Sequence, residues 1–215
     1  MTEITKESKK IKWDYLVQAD RVHRSLYTDP NIFEQEMIHI FGGTWVYLAH
    51  ESEIPHPNDF KTGYLGRRPI IIVRDINGKI RALFNRCTHR GATICRKDRG
   101  TSKGFTCPYH GWNFENTGRL AGIPWPKGYA EDFNRATLNL AQVRVDTYRG
   151  FIFGTLNPHA PSLRQHLGEA APLIDQWLDR YNGKNIVVRN AHRMVYRGNW
   201  KLTYDNAADG YHVTF

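Results

Sequence analysis

The chain has 215 residues, 40% hydrophobic and 13% aromatic, so it can bury a sizeable core as one large domain or as one domain and part of another. No apolar run approaches the roughly 20 residues of a membrane-spanning helix, and three cysteines, an odd number, argue against a disulfide framework and for a reducing cytoplasm. The net charge is +9, and thirteen Lys or Arg against three acids between Lys61 and Arg119 account for all of the surplus; with no lysine blocks and no nucleic-acid module beside them, they point to an acidic protein partner and away from nucleic acid or membrane.

The first stretch, MTEITKESKKIKWDY, is charged and lacks the apolar segment of a secretory leader. A helix is expected from about Pro30 to Phe41, capped by Asp29, with Pro30 in its first turn. Phe33, Met37, Ile40 and Phe41 would share its apolar face, and Gly42-Gly43 would stop it. Residues 1–43 thus read as an N-terminal helical segment. From 44 to 157 the pattern is mainly antiparallel β. PIIIVRD and KIRALFN flank Ile76-Asn77-Gly78, a tight-hairpin signal. FTCPYHGWNFENTGRLAG reads as short strands with a turn at Asn116-Thr117-Gly118, and VRVDTYRGFIFGTL as two strands broken at Arg149-Gly150.

Residues 158–215 change character. PSLRQHLGEAAPLIDQWLDRY predicts a helix capped by Ser162, with Leu163, Leu167, Ile174, Trp177 and Leu178 apolar. NIVVRNAHRMVYRG predicts a strand of a new unit, and NWKLTYDNAADGYHVTF the start of a further helix. The sequence ends inside that pattern, which is expected of a piece of a longer protein.

Two Cys/His pairs stand out. Cys87-x-His89 and Cys107-x-x-His110 are separated by 17 residues. Four such ligands could hold a tetrahedral zinc ion. They could also hold a [2Fe-2S] cluster, two cysteines on one iron and two histidines on the other. The cluster requires tight loops whose amides approach the sulfides. Gly91 and Gly111 follow the two pairs, Pro108 stiffens the second loop, and Trp112 and Tyr109 could shield the site from water. Cys95 lies outside the pattern and reads as a buried thiol.

Cys87-Thr-His89-Arg90-Gly91 and Cys107-Pro108-Tyr109-His110-Gly111-Trp112 closely resemble the Rieske motif. With neutral imidazoles the oxidised cluster carries no net charge and gains its electron against less repulsion than an all-cysteine cluster, which raises its potential. Each imidazole also keeps a free nitrogen, a route outward for the electron.

The tail adds a second centre. On a continuous helix Asp205, Asp209 and His212 would share one face, with Asn206 on the adjoining stripe. By itself this is a polar helix start. Asn-Trp-Lys, an acid-Asn pair and then Asp-x-Tyr-His resemble the opening of the catalytic domain in the large (α) subunit of Rieske-type aromatic-ring-hydroxylating oxygenases, and the likeness covers essentially the whole chain. It implies a mainly antiparallel β Rieske domain with flanking helices, followed by the start of an α+β helix-grip catalytic domain. It implies that His212 is the first ligand of a mononuclear Fe(II), that Asp209 bridges it to a Rieske histidine, His110 of a neighbouring subunit, and that Asn206 lies close to the iron. The family usually has Glu where Asp205 stands, and its second histidine and carboxylate ligands would lie beyond residue 215.

The resemblance further implies electrons delivered from NADH through an acidic ferredoxin or a flavin reductase, cis-dihydroxylation of an aromatic substrate with O2, and a cyclic trimer-based assembly with small (β) subunits. TWVYLAHESEIP, CTHRGATICR and PSLRQHLGEA look most like the benzoate, salicylate and aniline-type branch, so an aromatic carboxylate or amine is the expected substrate, with biphenyl-type and polycyclic hydrocarbons as the other class. A Rieske monooxygenase or demethylase shares the scaffold. A Rieske electron carrier without catalysis would need only about half the chain, and a zinc-stabilised interaction module would lack the cluster's colour.

Overall fold

A computed structural model describes residues 11, 13–180, 186–189 and 194–210. They form α1 (Trp13–Leu16), α2 (Ser25–Thr28), α3 (Pro30–His39), β1 (Val46–His50), β2 (Asp59–Leu65), β3 (Arg68–Arg74), β4 (Ile80–Phe84), β5 (Arg99–Thr101), β6 (Gly104–Thr106), β7 (Asn113–Glu115), β8 (Leu120–Gly122), β9 (Gln142–Tyr148), β10 (Phe151–Thr155), α4 (Leu163–Leu167), α5 (Ala170–Asp179) and α6 (Trp200–Ala208). None of the described helices is long and apolar enough to cross a membrane.

The strands make two antiparallel sheets, one of seven strands in the order β1-β10-β9-β4-β3-β2-β5 and one of three in the order β6-β7-β8. The run PIIIV is apolar without alternation because β3 is covered on both faces. Ile71 and Val73 join one core with Leu83, Phe105, Trp112 and Phe114, while Ile70 and Ile72 join a second with Ala49, Leu65, Ala82 and Ile152. The first core also contains Cys87 and Cys107.

Turn chemistry sets the register. Asp75 accepts hydrogen bonds from the amides of Asn77 (2.9 Å) and Lys79 (3.0 Å) and so shapes the β3–β4 hairpin. Arg149 (φ 51°) and Gly150 (φ 87°) both take the left-handed conformation between β9 and β10, as a two-residue hairpin with matching twist requires. A Cβ on Gly150 would lie 2.6 Å from His50 Nε2. Gly150→Ala is therefore expected to cost about 1–3 kcal/mol and to lower the melting temperature by several degrees. Gly78→Ala is the control for thermal unfolding, because Gly78 has φ +80° but nothing within 4 Å of an added Cβ. Equal losses in the two variants would show that contact with His50 is irrelevant.

The chain groups into two compact units, residues 39–191 and residues 1–38 with 192–215. Residues 158–191, expected with the catalytic domain, group with the β sheets. Trp45 Nε1 donates to Pro161 O (2.9 Å), Arg144 to Ala160 O (2.7 Å), and the Tyr148 hydroxyl to Asp175 (2.7 Å).

Several helix expectations are corrected. α3 ends at His39, so Ile40 and Phe41 lie in a turn; Gly43 then passes so close that a Cβ would stand 2.3 Å from His39 O. The buried residues of α3 are Ile32 and Glu36, not Phe33 and Met37. The helix expected after Ser162 is two helices, broken at Gly168 with φ 48°. Residues 186–189 and 194–198 of the expected strand NIVVRNAHRMVYRG are not in a strand: the Val188 amide donates to Ser52 Oγ (2.9 Å) instead of to a ladder partner.

Candidate metal centre

The two Cys/His pairs lie on different sheets. Cys87 and His89 follow β4 of the large sheet, and Cys107 and His110 lie on the loop joining β6 to β7 of the small one. The loops share one backbone frame. Cys87 N donates to Ala92 O (2.8 Å) and Gly91 N to Cys87 O (2.8 Å); Cys107 N donates to Trp112 O (2.7 Å) and Gly111 N to Cys107 O (3.0 Å). Gly91 and Gly111 occupy the same left-handed step, φ +75° and +71°, where a side chain would be strained.

These matched loops bring the four side chains together. Cys87 and Cys107 are 3% and 2% exposed. Burial pushes the Cys87 thiol up, and the neighbouring Cys107 adds to it, while the His89 and Arg90 amides act the other way. The His89 and His110 rings are 4.7 Å apart. Burial, then His110 and Arg90, hold the His89 imidazole below its ordinary pKa and favour the neutral, ligating form. Among the described residues, His89 Nδ1 and His110 Nδ1 are the buried side-chain nitrogen or oxygen atoms that lack a hydrogen-bond partner. A buried polar atom without a partner costs about 1–3 kcal/mol, and a metal bond to each nitrogen removes that cost. No three or more His, Cys, Asp or Glu among the described residues converge on a single ion. A cluster with its own bridging sulfides asks for only two protein ligands at each iron. Two buried thiols and two buried, unpartnered imidazole nitrogens fit that donor set.

The surroundings are apolar on one side and basic on the other. Trp112, 3% exposed, stacks on His89 with ring planes 6° apart. Tyr109 does not bury itself as a shield; it is 62% exposed and leans on the His110 ring at 3.9 Å between centroids. Cys95 is buried, and its Sγ approaches Lys97 O at 3.7 Å. Part of the positive charge is neutralised, since Lys61 pairs with Glu53, Arg74 with Glu51, Arg81 with Asp75 and Arg119 with Glu115. Arg86, Arg90, Arg96, Lys97, Arg99 and Lys103 remain exposed. Arg96, Lys97 and Arg99 line a groove of about 430 Å³ that also touches Pro108 of the second ligand loop.

Asn85 carries no motif, yet it closes the first loop. Buried at 4% exposure, it accepts from the amides of Ile94 (3.1 Å) and Cys95 (2.8 Å) and donates to Cys95 O (2.7 Å). In sequence it reads as an ordinary strand-end Asn, and only the fold brings residues 94 and 95 back to it.

The second centre is not a continuous helical face. α6, capped by Asn199, ends at Ala208, and Asp209 is its C-cap with extended backbone, its amide donating to Asp205 O (3.0 Å). The chain leaves the helix where the shared face of Asp205, Asp209 and His212 needed it to continue, because an Asp-Gly pair follows Ala208. Asn206 is exposed on α6. His212 lies outside the described residues.

Residues 44–147 match the Rieske [2Fe-2S] domain. Over 211 residues the chain is 44% identical to the toluate 1,2-dioxygenase α subunit of Pseudomonas putida, covering 94% of this chain and 46% of that protein. It is 42% identical to the anthranilate 1,2-dioxygenase large subunit of Acinetobacter baylyi, over 90% of this chain and 42% of that protein. The solved structure of naphthalene 1,2-dioxygenase from Rhodococcus sp. superposes with a TM-score of 0.84 at 40% identity, over 90% of this chain and 45% of that one. The chain therefore spans less than half the length of each of these relatives.

Proposed function

We propose, since this chain belongs to the family of Rieske-type aromatic-ring-hydroxylating oxygenase large subunits, that its protein is the terminal oxygenase of a multicomponent dioxygenase acting on an aromatic carboxylate. The observation that carries this reading is the pair of unpartnered, buried Nδ1 atoms of His89 and His110 beside the buried thiols of Cys87 and Cys107. Cys87 and Cys107 would hold one iron of the cluster, and His89 and His110 the other. When bound, the cluster supplies storage for a single electron at a potential raised by its neutral ligands.

The protein's own groups prepare the path. Trp112 packs flat on His89 and keeps water from that side. The groove lined by Arg96, Lys97 and Arg99 supports docking of an acidic ferredoxin or reductase by charge attraction. Asp209 is read as the acid linking His110 of a neighbouring subunit to His212, which would help to hold a mononuclear iron for oxygen activation, with Asn206 nearby. That geometry calls for a head-to-tail ring, with small (β) subunits completing the assembly. The toluate and anthranilate relatives support an aromatic carboxylate as substrate and cis-dihydroxylation as the reaction.

Asp209→Ala in the full-length enzyme is the test. Iron content and reduction of the cluster by its donor should stay at wild-type levels, while turnover falls about 10- to 100-fold or more. Near-normal turnover would overturn the proposed path.

A further inference from the structure

The Asn-Trp-Lys that opens α6 has no role in the reading above, and Glu36 is a buried acid on α3. The two features meet within the unit formed by residues 1–38 and 192–215. Glu36 is 7% exposed. Its carboxylate accepts from Trp200 Nε1 (2.8 Å) and from Lys201 Nζ, the first two residues of α6. Lys201 Nζ also donates to Asn199 Oδ1 (2.9 Å), and Asn199 Nδ2 to Tyr27 O (3.2 Å). One helical turn further on, the Tyr27 hydroxyl donates to Asp205 Oδ2 (2.8 Å).

A buried ion pair is weak evidence for stability, because the desolvation of both charges offsets their attraction. What this arrangement does supply is direction. Two bonds from consecutive residues onto one carboxylate fix both the rotation and the axial position of α6, and a third bond at Asp205 fixes its tilt. α6 has nine residues, so its length is about 13 Å. At its far end Asp209 is tied to Asp205 by a 3.0 Å backbone bond. Any rotation of the first turn is therefore carried to Asp209.

We propose that Glu36 is a positioning residue for the electron hand-over, and that residues 25–39 brace α6 so that Asp209 is held in place. This rests on the reading of Asp209 as the linking acid. The positioning tolerance is small, since a displacement of about 1 Å at a reacting group can cost up to about 100-fold in rate.

The experiment uses the full-length protein with both metal centres loaded. Glu36→Gln keeps the side-chain length and an acceptor for Trp200 but loses the charge that holds Lys201. Tyr27→Phe removes only the bond to Asp205 and leaves the buried pair intact. The cluster is reduced with dithionite and mixed with oxygen and benzoate, anthranilate or biphenyl in turn, and its visible absorption reports the electron leaving. Hydrogen exchange of the peptide spanning 199–210 is followed in parallel. In Glu36→Gln the exchange should quicken and the hand-over slow, each by about tenfold, with a smaller change in the same direction for Tyr27→Phe. The dithionite reduction rate, the potential and the spectrum of the cluster should not move. Unchanged exchange in both variants would overturn the brace. Faster exchange with wild-type hand-over would overturn the positioning role. A wild-type protein whose reduced cluster keeps its electron with all three aromatics would overturn the functional reading, and this proposal with it.

Discussion

Cys107→Ala is expected to strip the cluster entirely. In the full-length protein iron should fall by about two atoms per chain, leaving that of the mononuclear site, together with the visible absorption of the bound cluster. The argument starts from burial. Cys107 is 2% exposed and the nearby Cys87 3%, and each loop closes on its own cysteine through paired backbone bonds. Metal binding requires both sulfurs as thiolates, and burial with a neighbouring thiol opposes ionisation of Cys87 until a cation compensates it. With one sulfur removed, the iron keeps a single protein ligand, and the Nδ1 atoms of His89 and His110 are left unsatisfied in the interior. The variant should therefore also melt earlier, because metal affinity is part of the folding free energy at such a site. Cys95→Ala is the control: it lies outside the pairs, its thiol approaches Lys97 O, and the variant should keep its iron. Metal analysis of both variants against the parent decides the matter. Full iron in Cys107→Ala would sink the ligand assignment, and zinc in place of iron and sulfide in the parent would restore the zinc alternative.

The two Cys/His loops are legible in the sequence because each pair is contained in one loop, where spacing, a following glycine and local backbone bonds do the positioning. The hairpins at Asn77-Gly78, Asn116-Thr117-Gly118 and Arg149-Gly150 were legible for the same reason. What escaped the sequence depends on distant partners. Glu36 disrupts the expected apolar face of α3 and is buried only because Trp200 and Lys201, more than 160 positions away, reach its carboxylate. Asn85 closes a loop it merely precedes. The expected strand after residue 184 had the right composition, but strand propensity is realised only against a ladder partner, and Val188 bonds to Ser52 instead. The single helix predicted after Ser162 is interrupted at Gly168, whose positive φ the apolar periodicity could not register. Helix α6 shows the limit from the other side: the sequence marks where it starts, but its end at Ala208 removes the continuous face that would carry Asp205 and Asp209 together.

Asp75→Ala should be among the most destabilising single changes in the β domain, at about 3 kcal/mol or more. Asp75 is 0% exposed, and besides the Asn77 and Lys79 amides its carboxylate accepts from Arg81 Nε at 2.7 Å. Alanine would leave those three donors without their acceptor at the turn that joins β3 to β4. Asp75→Asn separates shape from charge: it keeps an oxygen for the two amides but not the ion pair, so about 1–2 kcal/mol is expected. The pH dependence gives the sharper test. Burial alone would raise the Asp75 pKa, but the bonds from Arg81, Lys79 and Asn77 outweigh it and hold the carboxyl below its ordinary value. A group depressed in the folded state contributes its full stability above the unfolded pKa, about 3.9, and loses it as the pH falls through the folded pKa. The gap in unfolding free energy between wild type and Asp75→Asn should thus be constant near neutrality and close as the pH falls below about 4. Measuring the two side by side cancels acid loss of the cluster, which both share. A gap that persists undiminished in strong acid would show that packing, not the charge on Asp75, holds this hairpin. The consequence reaches the metal centre, because β4 runs directly into Asn85 and the loop bearing Cys87 and His89: a frayed β3–β4 turn loosens the frame on which the first ligand pair is built.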